Sequence, residues 1–229
     1  MALLLEELRA LGCKERDSVF ACHGRVILDR SVDLVYPASK DDLAVMKSVV
    51  LPGATDQDLQ QLVAACEPAY FGHGKDSVLD ATYRQAVMLS AECVHTSFRL
   101  GETAILAEIQ RRLGPTNDDM TIHATLHKMN VYGPGGFFKK HLDTPQNADT
   151  FGTLVVCLAS PFEGGKLVIE HDNQRICVDW AEAFLLNTAP QLFVQWAAFY
   201  SDCVHEVLPV KSGFRITLTY LLTAKEIMD

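Results

Sequence analysis

Several things are missing from this 229-residue chain, and each absence narrows what it can be. No basic run interrupts a formal net charge of −9 at pH 7, so no phosphate-tracking surface and no nucleic-acid partner are expected. No CxxC pair occurs among the seven cysteines, Cys13, Cys22, Cys66, Cys93, Cys157, Cys177 and Cys203. Several of these sit inside apolar runs and read as buried, reduced thiols, which points to a reducing, cytoplasmic setting. Residues 1–11 begin apolar but carry Glu6 and Glu7 where the core of a secretory signal would continue. No stretch is long enough to span a membrane. Internal repeats, low-complexity tracts and linkers are also lacking. Nearly half of the residues, 48%, are apolar, enough for a substantial core in one large domain or a compact core with a supporting extension.

The first half reads as helices and a few strands. Leu4, Leu5, Leu8 and Leu11 recur at helical spacing and predict a short amphipathic helix. Val26, Ile27, Leu28, Val32, Leu34 and Val35 read as strand or hairpin material closed by Pro37. A helix is predicted over residues 41–50. A stronger one starts after Pro52-Gly53, where Thr55 can cap and Leu59, Leu62, Val63 and Cys66 share a face. Residues 71–76, with Gly72 and Gly74, read as a glycine-broken loop. Two further helices are predicted, over 81–93 and 102–113; Ile105, Leu106, Ile109 and Leu113 form the apolar face of the second, and Gly114-Pro115 ends it.

From Thr121 the texture changes to short strands separated by turns, at 122–132, around His141, and at 152–158, 165–170, 176–180, 183–186, 193–200, 204–210 and 214–222. Many short strands without intervening helices argue a double-sheet jelly roll. The expected fold is therefore α+β. Residues 1–118 would form an N-terminal, mainly helical supporting region, and residues 119–229 a double-stranded β-helix (jelly-roll) core, the two making one compact unit.

The chemistry collects in that second half. In an extended strand, residues i and i+2 point the same way, so His141 and Asp143 would put an imidazole and a carboxylate on one face. By itself this pair is a weak signal. His205 supplies a second imidazole, and Arg215 follows ten residues later on a strand that alternates Arg215, Thr217, Thr219 against Phe214, Ile216, Leu218, Tyr220. Two histidines and one carboxylate on one side of Fe(II) leave coordination positions open, the arrangement of non-haem oxygenases. Arg215 would be a fixed cation near the metal, suited to gripping a carboxylate through two parallel hydrogen bonds.

The other candidates read more simply. His123 and His127, four apart, would be same-face strand residues with a structural or surface role, and His23, His73, His95 and His171 lack a partner carboxylate at ligand spacing. Lys139 and Lys140 could attract an acidic substrate or merely be solvated at a strand start. Trp180 and Trp196 could wall a pocket, but strand aromatics are more often core.

Residues 126–222 resemble the Fe(II)/2-oxoglutarate-dependent dioxygenases, in their prolyl-4-hydroxylase-like branch. The resemblance is carried by Asn130-Val131-Tyr132 before the glycine turn at 133–136, Phe138 ahead of His141-Leu142-Asp143, Glu163-Gly164-Gly165-Lys166-Leu167, His205-Glu206-Val207, and Gly213-Phe214-Arg215-Ile216-Thr217. It implies that His141, Asp143 and His205 ligate iron and that Arg215 and Thr217 hold the distal carboxylate of 2-oxoglutarate. Tyr132 and Asn130 would line the co-substrate pocket. Dioxygen would be the second co-substrate, with succinate and CO2 as products. Halogenating relatives lack the carboxylate ligand, so Asp143 implies hydroxylation, or a related dehydrogenation or cyclisation. The bulky run 195–200 and the segment 187–191 depart from the family pattern. The chain has no recognisable peptide-binding domain, so a small-molecule substrate is expected. A prolyl or other protein residue is the alternative substrate, and a non-catalytic metal-binding jelly-roll interaction module is the alternative from another class. No membrane partner is expected, and the sequence does not reveal the oligomeric state.

Overall fold

The computed structural model describes residues 19–39, 42–73, 76–115, 117, 119–143, 149–181 and 192–226. The predicted opening helix near residues 4–11, the strand at 183–186 and the segment 187–191 lie outside them. Strands dominate what is described. The first half contains β1 (Ala21–Leu28), β2 (Val32–Ser39), β3 (Asp42–Leu51), helix α1 (Asp56–Ala65), β4 (Glu67–Pro68), β5 (Phe71–His73), β6 (Asp76–Val78), β7 (Arg84–Gln85), β8 (Val87–Ser90), β9 (His95–Thr96) and helix α2 (Ile105–Arg112). The second half contains β10 (Met120–Tyr132), β11 (Phe137–His141), β12 (Thr150–Cys157), β13 (Phe162–Gly164), β14 (Leu167–His171), β15 (Gln174–Val178), β16 (Leu192–Tyr200), β17 (Val204–Val207), β18 (Val210–Gly213) and β19 (Arg215–Glu226).

The mainly helical supporting region is thus corrected to a mixed one in which strands prevail. Residues 42–51 form β3, not a helix, and pair antiparallel with β2 from Val32↔Leu51 to Ser39↔Asp42. Here Val49 is buried while its neighbours Ser48 and Val50 are exposed, an alternation that suits a half-buried sheet. The predicted helix over 81–93 is replaced by β7 and β8. The run Val87-Met88-Leu89 is too short for its period to decide between helix and strand, and pairing with β10 on one side and β4 on the other decides it. The glycine-broken loop at 71–76 is instead the β5–β6 pair. Two helices do form as their sequence signals predict. In α1, Asp58 N donates to Thr55 Oγ1 at 3.2 Å and Thr55 N to Asp58 Oδ2 at 2.9 Å, a reciprocal capping box. In α2, Ile105 and Ile109 are fully buried.

Two sheets organise the molecule. One has seven strands in the order β1-β16-β12-β19-β10-β8-β4, the other five in the order β15-β14-β17-β11-β7. One face of the large sheet packs on β2, β3, α1 and α2 through residues such as Leu34, Leu62, Ile109, Leu154, Trp196 and Leu218. Its other face meets the small sheet through Tyr132, Cys157, Ala197 and Phe199 against Phe138, Leu167, Ile169 and Val207. Covered on both sides, β12 and β16 are buried along nearly their whole length. This accounts for the bulky 195–200 segment: Trp196 fills the outer core and Phe199 the inner one.

Cys22, Cys66, Cys157 and Cys203 are buried, as expected. Burial pushes the Cys22, Cys66 and Cys157 thiols up to about 12. Cys177 departs from the expectation and is exposed, because β15 is the outermost strand of the small sheet. No helix among the described residues is long and apolar enough to cross a membrane.

Candidate active site

The site forms where the two sheets face each other, and strand register builds it. On β11 three residue steps from Phe138 to His141 are matched by two on β17, so an irregularity in β11 sets His141 directly opposite His205. Their rings lie 4.1 Å apart, centre to centre. His141 also stacks on Phe138 at 3.4 Å, and Phe199 stands 4.6 Å from His205. The strand ends at His141, so Asp143 is not held in a pleat as the i, i+2 pattern predicts. It is held instead by Thr153 on β12, whose Oγ1 donates to Asp143 Oδ2 at 2.7 Å. The other carboxylate oxygen, Oδ1, faces His141 Nε2 at 3.8 Å and His205 Nε2 at 3.6 Å.

The far side of each ring settles its tautomer. His141 Nδ1 lies 2.8 Å from Lys139 O and His205 Nδ1 3.2 Å from Cys203 O. A carbonyl only accepts, so each Nδ1 carries the proton and each Nε2 turns a lone pair toward Asp143. Burial, with His205 beside it, pushes His141 down to about 3, and the imidazole is neutral at physiological pH. Burial acts to raise the Asp143 carboxyl, yet any proton carried by His205 or His141, together with the Thr153 hydroxyl, holds it below its ordinary range. The donor atoms of His141, Asp143 and His205 all lie within 4.8 Å of one another. Two lone pairs and an ionised oxygen converging on one point, each oriented from behind, suit a divalent metal such as Fe(II).

Arg215 lies deeper in the same pocket, which encloses about 450 Å³ including its solvent-filled mouth. It is 1% exposed, pairs in register with Tyr132, and has its guanidinium carbon 5.2 Å from the Tyr132 ring and 4.9 Å from that of Trp180. Burial lowers its pKa from the ordinary value. Its Nε and Nη2 are buried without a hydrogen-bond partner. Unpaired buried guanidinium nitrogens are costly, and a ligand carboxylate reaching this depth would satisfy them. Thr217, also 1% exposed, lines the pocket one pleat along the same strand. The Trp180 side chain serves as a wall behind the arginine, while Trp196 faces the other core.

Two further wall residues, Lys128 and Arg84, were not legible in the sequence. β10 has an extra residue at His127, since Leu126 pairs with Tyr220 and Lys128 with Thr219. Before this bulge Ile122, Ala124 and Leu126 face the outer core; after it Met129 and Val131 do. The bulge therefore turns Lys128, Asn130 and Tyr132 into the pocket, and it separates His123 from His127, which do not form the regular same-face pair expected. Arg84, from the short strand β7, completes this wall. It donates through Nη2 to Asn130 Oδ1 and through Nη1 to Tyr70 O, both at 2.7 Å, and lies 4.4 Å over the Phe138 ring. Asn130 in turn donates to Thr219 Oγ1 at 3.1 Å. The amide expected to line the co-substrate pocket is thus tied at both ends. Burial, with Arg84 nearby, lowers the Lys128 ammonium to about 8.

Lys140 pairs with Glu170 at 2.6 Å and Lys139 is exposed, so neither lines the pocket. His171 approaches Asp202 and Cys203 in a second cluster, outside this pocket, that sequence spacing does not reveal.

Residues 127–222 match the model of the 2OG-Fe(II) oxygenase superfamily. The match makes this stretch similar to 2-oxoglutarate-dependent Fe(II) oxygenases. No curated protein matches the chain. Among solved structures, a Trichoplax adhaerens prolyl hydroxylase in complex with a hypoxia inducible factor peptide fragment aligns over 97% of this chain and 93% of its own, at 16% identity and a TM-score of 0.45. A 2OG-Fe(II) oxygenase family oxidoreductase from Burkholderia pseudomallei aligns over 83% and 84%, at 16% identity and 0.41. A Pseudomonas putida prolyl-4-hydroxylase aligns over 62% and 73%, at 21% identity and 0.37.

Proposed function

We propose that this chain, whose residues 127–222 match the 2OG-Fe(II) oxygenase superfamily model, hydroxylates a C–H bond of a small molecule on a double-stranded β-helix scaffold. In this reading His141, Asp143 and His205 hold the iron, and Arg215 with Thr217 holds the distal carboxylate of 2-oxoglutarate beside Tyr132. The observation that carries it is the buried Arg215, with two unpartnered guanidinium nitrogens, in the pocket onto which the two Nε2 atoms and Asp143 Oδ1 converge. A merely structural metal would need no such cation.

Loaded with Fe(II), 2-oxoglutarate and O2, the centre supplies oxidative decarboxylation to succinate and CO2 coupled to insertion of one oxygen atom into the substrate. The protein's share is placement. Lys139 O and Cys203 O keep the imidazoles in the ligating tautomer, and Thr153 aims Asp143. Phe138, Val155, Leu167 and Val207 line the pocket with apolar surface that limits water. A small molecule is favoured over a protein segment because the polar groups of the wall are charged and recessed: Arg84 is 4% exposed and donates to Tyr70 O and Asn130 Oδ1.

The test is the 2-oxoglutarate dependence of succinate formation. Arg215→Met removes a charged hydrogen-bonding pair, so the half-saturating 2-oxoglutarate concentration should rise at least about tenfold, while iron content is retained. An unchanged requirement in a folded variant would show that the distal carboxylate is held elsewhere.

A further inference from the structure

The wall built by Lys128 and Arg84 has no task in the scheme above. Among the described residues, the pocket is lined by three cations, Arg84, Lys128 and Arg215, and by one carboxylate, Asp143. Fe(II) brings two positive charges and the 2-oxoglutarate dianion two negative ones, so loading the site leaves the excess of two positive charges as it was. Asp143 is the carboxylate committed to the metal, and Arg215 is the cation committed to 2-oxoglutarate. The uncompensated pair is therefore Lys128 and Arg84.

Both are held there by the fold. The bulge at His127 turns Lys128 inward, against the parity that residues 122–126 would otherwise impose on it. Arg84 is locked by two hydrogen bonds to neutral acceptors, Tyr70 O and Asn130 Oδ1, and its Nε is buried without a partner. No carboxylate lies within ion-pair reach of either residue among those described. A cation placed inside an apolar wall without a counter-ion is costly unless a ligand supplies the charge. Lys128 has a flexible stem and three donors, whereas Arg84 is fixed, so Lys128 is the hand and Arg84 the supporting field.

Building on the oxygenase reading, we propose that Lys128 receives a carboxylate of the primary substrate, which is a free amino acid or another small carboxylic acid. The substrate anion sits on the β10–β7 side of the pocket and 2-oxoglutarate on the Arg215 side. Two separated anion sites of unequal depth also let the protein tell its two carboxylate ligands apart.

The experiment is calorimetric titration under argon of protein loaded with Fe(II) and 2-oxoglutarate. The probes are the L-amino acids, straight-chain monocarboxylic acids of three to eight carbons, and the primary amide of each. At least one acid should bind, roughly tenfold or more tighter than its amide, as loss of one charge-assisted hydrogen bond implies. Lys128→Met should bring that acid down to the amide's affinity, Lys128→Arg should keep the preference, and both should bind 2-oxoglutarate as the parent does. The proposal is overturned if acids and amides bind alike, if no acid binds, if Lys128→Met keeps the preference, or if an acetylated and amidated prolyl peptide binds while every acid fails. Loss of 2-oxoglutarate instead of the acid in Lys128→Met would make Lys128 a co-substrate group, also overturning it. Failure of the parent protein to bind 2-oxoglutarate at all would instead count against the oxygenase reading itself.

Discussion

At the scale of single residues, groups that never face the ligand decide how those that do can act. Lys139 O and Cys203 O hold the protons of His141 and His205 on Nδ1 and so free Nε2. Thr153 does the same for Asp143 by occupying Oδ2 and leaving Oδ1 to the imidazoles. Thr153→Val keeps the shape of the side chain and removes the donor. Fe(II) affinity, measured by anaerobic titration, should fall about tenfold or more, with the fold intact by circular dichroism. The same site makes the metal-free protein acid-sensitive. The unfolded chain takes up a proton on His141 near its ordinary value of 6.5, whereas the folded protein refuses it until about 3. The unfolded state thus binds more protons between those values, and stability is lost as pH falls from about 6.5 toward 3. Thermal unfolding of metal-free protein across that window should show the slope, and His141→Gln should flatten it.

At the scale of elements, the site depends on two departures from regular strand pairing. The irregularity in β11 brings His141 opposite His205, and the bulge in β10 reverses which residues face inward. Removing His127 would restore strict alternation along 120–132. Either Ile122, Ala124 and Leu126 or Met129 and Val131 would then leave the outer core, or Lys128, Asn130 and Tyr132 would leave the pocket. Deletion of His127 should therefore cost both thermal stability and 2-oxoglutarate binding, while His127→Ala, which keeps the residue count, should retain both. An equal effect of the two changes would mean that the imidazole, not the register, matters.

These two irregularities also explain what could and could not be read from the chain alone. The strand pattern after Thr121 and the capped helix after Thr55 follow from periodicity, and the grouping of His141, Asp143, His205, Arg215, Thr217 and Tyr132 in one pocket follows from the family resemblance. Lys128 and Thr153 do not. A bulge has no residue signature in Leu126-His127-Lys128, so alternation counted from Ile122 puts Lys128 on the wrong face. Thr153 lies in an apolar run with nothing to mark its hydroxyl as different. Arg84 is hidden when 81–93 is read as helix, since an apolar run as short as Val87-Met88-Leu89 satisfies either period. The same ambiguity made β3 look helical.

At the scale of the whole molecule, the family match ends at its N-terminal side near the point where β10 enters the pocket, while the core does not end there. Leu34, Leu62, Ile105 and Ile109, from the first half, cover the outer face of the large sheet, and Arg84, on the edge strand β7 of the small sheet, lines the pocket. The first half is thus part of what holds the pocket's charge in place. An acidic chain of formal charge −9 encloses a pocket lined, among its described residues, by more cations than anions, an arrangement fitted to drawing in small anionic ligands from a surface that repels them elsewhere. The central claim is that the two histidines, Asp143 and Arg215 together assemble iron and 2-oxoglutarate in one site. Anaerobic Fe(II) titration with and without 2-oxoglutarate tests it most directly, read as the visible charge-transfer band of a keto acid chelated to iron. The account predicts a band that requires both components and is lost in Asp143→Ala. Folded, iron-loaded protein that gives no band with 2-oxoglutarate would contradict it.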